Sequence, residues 1–273
     1  MIPAAFDYTR AGSVEEAIAL LVEHGDEAKL VAGGHSLLPL MKLRLATPSV
    51  LIDIGRVPGL SYIEERGDEI AIGALARHHD LETSALLKEQ VPLLAFTAHQ
   101  VGDPQVRHRG TLGGTLAHGD PASDLPAAVL ALGGTLVAQG PHGRREIAAP
   151  DFFEGFLETA LDVDELLVEI RVPKVAGAGW SFQKFNRRAQ DWAIVGVAAV
   201  VNGTTGIALV NMGSTPLRAT AVEEAVRQGA SAADAATAAD QGTDPPSDTN
   251  ATQEYRRHLA TVLVRRALEE ASS

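Results

Sequence analysis

Apolar and polar positions along the chain switch between two periods. Residues 13–24 (SVEEAIALLVEH) carry apolar side chains at helical spacing. Ser13 stands at the cap and Glu16 at the capping-box position, which predicts a helix. Lys29–Ala32 reads as a short strand and Ser36–Leu45 as the opening of a helix. Strands are predicted at Ser49–Ile54 and Glu69–Leu75, and helices at Leu81–Lys88 and Pro92–Val101. Leu125–Leu132 is a predicted helix with Ser123 or Asp124 as cap and Pro126 in its first turn. Thr135–Ala138, Arg145–Ile147 and Glu165–Val172 are strand-like. The stretch PKVAGAGW then mixes Pro and Gly, so a first domain is expected over 1–175 and a second over 176–273. The second opens with Trp180–Asn186 and the apolar run Ala193–Val201. A Gly-Thr-Thr-Gly turn at Gly203–Gly206 and Ile207–Met212 complete a predicted hairpin. Two helices should cover it, Ala219–Arg227 and about Thr252–Glu270, the latter with Tyr255, Leu259, Val262, Leu263 and Ala267 on one face. Between them, residues 228–251 are small, polar and Pro-broken, either a mobile loop or a weak helix with a linker.

Composition narrows the function. The chain has 273 residues, 45% apolar and 21% charged, as a soluble globular protein does. No apolar run reaches membrane-span length, and the N-terminus MIPAAFDYTRAGS lacks signal-peptide blocks, so a cytoplasmic protein is expected. There is no cysteine. Disulfides, thiolate nucleophiles, thiolate zinc sites and iron–sulfur clusters on this chain are therefore excluded. A redox role would need an organic cofactor or a metal held by His and carboxylates. The net charge of −12 argues against nucleic-acid binding and leaves solubility or a charged docking face.

Two glycine-rich segments carry the chemistry. In Ala32-Gly33-Gly34-His35-Ser36, a strand ends in two glycines that can turn several N–H groups toward one anion, with a helix following. Ser36, Lys29 and His35 add a hydroxyl, charge or donors. The same pattern also serves as a plain tight turn. It is neither G-x-x-x-x-G-K-[ST] nor G-x-G-x-x-G, so P-loop and Rossmann readings fail. The second segment, Thr111-Leu112-Gly113-Gly114-Thr115, again offers hydroxyls and N–H groups, preceded by Arg107, His108 and Arg109. Those cations could meet phosphate or form surface salt bridges. Two such loops can grip both phosphates of a dinucleotide. Asp124 has two readings, helix cap or acceptor for ligand hydroxyls and ring N–H. His118 and Asp120 lack a third ligand, so no metal site is expected.

AGGHSLLPLMKLR, TLGGTLAHGDPASDLPA, ELLVEIRVP, WSFQKFNRRAQDWAIVGVAA and EYRRHLATVLVRRAL, in this order over nearly the whole chain, resemble the FAD-binding medium subunits of molybdenum hydroxylases. The resemblance is to the aerobic carbon monoxide dehydrogenase type, with xanthine dehydrogenase flavin domains as more distant relatives. Thr115 stands where those flavin domains have Asn, and they lack the Gly34–Ser36 sequence. His108 replaces a smaller polar residue of many relatives.

The resemblance implies an α+β fold: a flavin domain of the para-cresol methylhydroxylase and vanillyl-alcohol oxidase (PCMH/VAO) type, made of two α+β subdomains. A smaller α+β C-terminal domain, a sheet with helices, would follow. It also implies that Leu30, Val31, Ala32, Gly33, Gly34, His35, Ser36 and Leu37 wrap the FAD pyrophosphate. Thr111, Leu112, Gly113, Gly114 and Thr115 would form the second phosphate loop. Val101 would touch FAD, Asp124 would hydrogen-bond it, and Leu166 or Leu167 would pack on it. Lys184 would lie near the flavin's polar edge and Trp192 beside the isoalloxazine ring. From the residues alone, the leucines also read as plain core, Lys184 as solvent-facing and Trp192 as a core or interface anchor.

The implied function is electron transfer. A large molybdopterin-binding subunit would oxidise substrate, and a small [2Fe–2S] subunit would pass electrons to FAD and on to an external acceptor. The assembly would be a hetero-oligomer, a dimer of heterotrimers. No catalytic general base or nucleophile is expected on this chain. The rivals are a stand-alone flavin oxidase or reductase of the same fold and a flavin-free binding or assembly module.

Overall fold

The structure, a computed structural model, describes residues 1–202 and 204–273. Gly203, in the expected hairpin turn, lies outside the described residues.

The chain first builds a three-stranded parallel sheet in the order β1-β3-β2 from β1 (Asp7–Arg10), β2 (Ala28–Val31) and β3 (Val50–Asp53). α1 (Val14–His24) buries Ala17, Ile18 and Leu21, and its cap Ser13 accepts the Glu16 N–H at 3.1 Å. The Glu16 carboxylate reaches back to the Gly12 N–H at 2.6 Å, one residue before the cap. α2 (Leu37–Leu43) lies between β2 and β3, so the first glycine segment sits at the carboxyl end of β2. Ligands of α/β sheets bind at such ends.

A second, antiparallel sheet follows in the order β4-β5-β10-β6-β7. Its strands are β4 (Ile63–Arg66), β5 (Glu69–Gly73), β6 (Thr135–Gly140), β7 (Gly143–Ala148) and, beyond the small hairpin β8 (Phe153–Gly155) and β9 (Glu158–Thr159), β10 (Leu166–Pro173). The helices between β5 and β6 are α3 (His78–Thr83), α4 (Ala85–Gln90), α5 (Pro92–His99), α6 (Pro104–Arg107), α7 (Leu112–His118) and α8 (Asp124–Ala131). The single helix expected over Leu81–Lys88 is broken at Ser84, whose hydroxyl accepts the Leu87 N–H at 3.2 Å and starts α4.

The remaining residues form a four-stranded antiparallel sheet, β11 (Gly179–Phe185), β12 (Val195–Asn202), β13 (Thr204–Val210) and β14 (Leu217–Arg218). α9 (Thr220–Arg227), α10 (Ala232–Ala236) and α11 (Gln253–Ala271) complete the chain. β12 is apolar on both faces. Val195, Val197 and Ala199 meet the core beneath α9 to α11, while Ala198 and Val200 join the core that contains α8. A strand covered on both sides reads as a continuous apolar run, as Ala193–Val201 does. α8 is buried along its whole length, which explains why its sequence DLPAAVLA shows no polar stripe.

The last helix corrects one expectation. Its buried stripe is Arg256, Leu259, Ala260, Leu263, Val264, Ala267, Leu268 and Ala271, whereas Tyr255 is exposed. Arg256 rather than Tyr255 faces inward because its guanidinium finds acceptors at both ends, the buried Ile194 carbonyl and, at 2.8 Å, the exposed Asp248 carboxylate. Residues 228–251 are not one featureless loop. Ser231 caps α10 by accepting the Asp234 N–H at 3.1 Å, and Ala235, Ala236 and Ala239 are buried.

Gly206 marks a close approach between this sheet and α8, because an added Cβ would overlap the Ala131 carbonyl oxygen. Gly206→Ala is expected to overpack the seam by about 2 kcal/mol and lower the Tm by on the order of 5 °C. Differential scanning calorimetry checks this; an unchanged melt would show that the sheet does not rest on α8.

No described helix is long and apolar enough to cross a membrane.

Candidate functional site

The two glycine segments, far apart in sequence, pack against each other. A Cβ on Gly33 would overlap the Arg109 carbonyl oxygen and stand 2.9 Å from the Gly110 Cα. Gly33 is thus required by the approach of the second loop, and Gly34 by its φ of 75°, the left-handed region. The His35 ring Nδ1 lies 3.0 Å from the Gly33 carbonyl oxygen. The main-chain N–H groups of Gly33, Gly34, His35, Ser36 and Leu37 donate to no acceptor among the described residues. Such a run of unpaired donors along one turn is an anion cradle.

The second loop differs from expectation. Leu112 N–H donates to the Ala76 carbonyl and Gly113 N–H to the Ala74 carbonyl, both at 2.9 Å. Gly114 N–H donates to the Thr111 hydroxyl at 3.1 Å and Thr115 N–H to the Thr111 carbonyl at 3.0 Å. These amides are already paired, so the loop offers a ligand the hydroxyls of Thr111 and Thr115 and the exposed surface of Gly114. Gly113 is small because its Cβ would stand 2.5 Å from the Ala74 Cβ.

Arg107 is not offered to a ligand either. It is buried, its Nε 2.8 Å from Glu82, and its Nη1 donates to the Val101 carbonyl at 3.1 Å. Glu82 also meets His79 at 2.9 Å and His99 at 3.2 Å. Burial works to raise the Glu82 carboxyl, but hydrogen bonds with His79 and His99 and the adjacent Arg107 charge outweigh it and hold it below the usual range. His79 stacks on His108 with ring centroids 4.1 Å apart. Arg109 remains exposed.

A third group lies where α8 begins beside β11. Asp124 Oδ2 and Lys184 Nζ pair at 2.7 Å, and Lys184 also donates to the Gln100 carbonyl at 3.1 Å. The side chains are only 7% and 8% exposed. Asp124 Oδ1 is buried without a partner among the described residues. Burial pushes the Asp124 carboxyl up to about 6, countered only in part by Lys184. The capping reading of Asp124 does not hold, since Ser123 occupies the cap position and Asp124 turns to Lys184. The solvent-facing reading of Lys184 falls for the same reason. Val101, half-buried, directly follows Gln100.

The remaining expected residues are Leu166 or Leu167 and Trp192. Leu166 is enclosed in an apolar core with Leu60, Leu75, Val137 and Val168, against which Leu30 and Ala32 of the first loop segment also pack. Leu167 packs into the neighbouring core. Trp192, 58% exposed, sits at the rim of an open cleft of about 780 Å³ with Pro121, Phe156 and Asn211. Sequence reasoning missed His78 and Glu82; neither belongs to a motif, and only the fold brings them to the loops. Among the described residues no group of three His or carboxylate side chains is arranged to hold a metal ion.

Unpaired amides in a glycine turn, a hydroxyl-bearing loop against it and an orphaned buried carboxylate oxygen fit a dinucleotide with a polar ring system. The chain matches the family "FAD binding domain in molybdopterin dehydrogenase" over residues 4–175 and "CO dehydrogenase flavoprotein C-terminal domain" over 180–271. It belongs to the FAD-binding medium subunits of molybdenum hydroxylases, the flavoprotein components of oxidoreductases whose cofactor is FAD. Within that family it is 44% identical to the carbon monoxide dehydrogenase medium chain of Hydrogenophaga pseudoflava, over 99% of this chain and 98% of that one. It is 39% identical to the 6-hydroxypseudooxynicotine dehydrogenase complex subunit alpha of Paenarthrobacter nicotinovorans, over 99% and 96%. The solved H. pseudoflava carbon monoxide dehydrogenase lacking the Mo-pyranopterin moiety superposes with a TM-score of 0.95, covering 100% of this chain and 99% of that chain.

Proposed function

We propose that this chain is the flavin-bearing relay of a molybdenum hydroxylase complex, placed between a [2Fe–2S] subunit and an external acceptor. When bound, FAD supplies the redox chemistry, accepting electrons from the iron–sulfur partner and releasing them to the acceptor. The run of free amides from Gly33 to Leu37, lying against Arg109 and Gly110, is the observation that carries this reading.

In this reading those amides hold the phosphates, with Thr111 and Thr115 as hydroxyl donors. Asp124 presents its unpaired Oδ1 to a ring or ribityl donor. Lys184 fixes the Asp124 carboxylate and adds positive charge beside the ring. Val101 would line the same side, and Trp192 would lie beside the ring. None of these groups is placed as a general base or nucleophile. A large molybdopterin-binding subunit and a small [2Fe–2S] subunit complete the assembly, a dimer of heterotrimers in the cytoplasm. Residues 1–175 form the flavin domain and 176–273 the C-terminal domain.

Tagged protein purified from its host is expected to carry about one FAD per chain and to retain one chain with iron and another with molybdenum. Flavin without the metal chains would favour a stand-alone oxidase, and no flavin at all a binding or assembly module.

A further inference from the structure

We propose that His78 is a positioning residue for the FAD phosphates, fixing the Thr115 hydroxyl as a donor toward the junction of the two glycine loops. The inference rests on the flavin reading above and assigns a new residue to it.

His78 opens α3 and is only 2% exposed. Its main-chain N–H donates to the Gly110 carbonyl at 3.1 Å, and its ring Nε2 lies 3.1 Å from the Thr115 hydroxyl oxygen. A Cβ on Gly110 would stand 2.7 Å from the imidazole Cδ2 and Nε2. The ring therefore packs directly against Gly110, the residue that Gly33 also approaches.

The tautomer follows from the surroundings. Nδ1 is buried with no hydrogen-bond partner among the described residues. A neutral imidazole carries one N–H and one bare nitrogen. Burying an unpaired N–H is the rarer and costlier choice, so the proton sits on Nε2 and is donated to Thr115 Oγ1. The Thr115 hydroxyl hydrogen is then released from His78. Among the described residues it makes no bond to the Thr111 carbonyl one turn back, the usual partner of a helical threonine hydroxyl, although that carbonyl accepts the Thr115 N–H and keeps a second lone pair. Thr115 is partly exposed beside the exposed Gly114, so its hydroxyl hydrogen is free to meet a phosphate oxygen.

The groups facing His78 keep the ring neutral. Burial is the largest influence, His35 and Arg107 add to it, and Glu82 opposes them, leaving the imidazole at about 4. Were the ring protonated, Nδ1–H would be buried without an acceptor.

The test uses the full-length chain with its co-purifying chains, stripped of flavin and titrated with FAD by fluorescence. His78→Leu and Thr115→Val are each expected to weaken FAD binding about tenfold, the loss of one charge-assisted hydrogen bond. The double variant should bind no more weakly than either single one. His78→Gln, which keeps an N–H donor, should stay within about threefold of wild type. Wild-type affinity in folded His78→Leu, or fully additive losses in the double variant, would overturn the proposal. Should His78→Leu fail to fold, imidazole ¹⁵N–¹H correlations of the wild type decide the matter. A proton on Nε2 supports the proposal and one on Nδ1 removes it. Wild-type protein that takes up no FAD overturns the flavin reading itself, and this inference with it.

Discussion

Gly33→Ala protein will lose most of its flavin, retaining less than about a tenth of the wild-type content, and will melt at a lower temperature. The added methyl has nowhere to go. Its near neighbours are the Arg109 carbonyl oxygen, the Arg109 carbonyl carbon and the Gly110 Cα, all backbone atoms. Backbone does not swing aside as a side-chain tip can, so the two loops must separate. Overpacking of this kind costs typically 1–3 kcal/mol in stability. The effect on binding is larger because the free amides lose their fixed relation to Thr111 and Thr115. Gly34→Ala is the informative companion. Its φ of 75° makes alanine strained by about 1 kcal/mol, and the nearest atoms to the new Cβ belong to the Leu38 side chain and, at 3.6 Å, to Val31. That variant should keep more flavin. Absorbance at 450 nm per chain, with a melt of each protein, gives the answer; full flavin in Gly33→Ala would refute the packing of loop on loop.

Lys184→Met is expected to destabilise the protein by about 3–5 kcal/mol at pH 8 and by far less at pH 5. The reason lies in Asp124, whose carboxyl is raised to about 6 by burial even with Lys184 beside it. At pH 8 the variant must either keep a buried, unpaired carboxylate or take up a proton on folding. At pH 5 the wild-type carboxyl is already largely protonated, so little attraction to Lys184 remains to be lost. The sign in the wild type is consistent. A folded pKa above the unfolded 3.8 means that the folded state binds the extra proton, so this group's contribution falls as pH rises from about 4 through about 6. Asp124→Asn removes that slope. Urea melts of the three proteins at both pH values measure it, and a Lys184→Met loss independent of pH would show that the pair is not coupled as described.

Much of the fold was legible because periodicity reports burial. The 13–24 helix, the Ala193–Val201 strand and the two glycine turns follow from local spacing and from residues that few backbones need. Sequence spacing alone fuses α3 and α4, because the apolar spacing of Leu81 and Leu87 runs on past Ser84 and hides the break. β1 was missed since three of its four residues are exposed, leaving no alternation to detect. The inward-facing Arg256 shifted the register of the last helix, because a buried arginine looks polar to any apolar count. At the site, residue types pointed to an anion cradle, but not to which amides stay free. That depends on the carbonyls of Ala74 and Ala76, partners distant in sequence and unremarkable in it. The burial of Asp124 with Lys184 is likewise a property of the fold, sixty residues of chain being closed to make one ion pair.

The strand β12, walled in on both sides, carries a consequence for evolution and for engineering. Its underside of Ala198 and Val200, with Ala208 on the next strand, was shaped against α8, not against its own helices. A chimera that grafts residues 176–273 from a relative onto this N-terminal half will inherit a mismatched underside unless the α8 residues travel with the graft. In natural lineages those two surfaces should drift in step, so that a bulkier side chain on one is answered by a smaller one on the other.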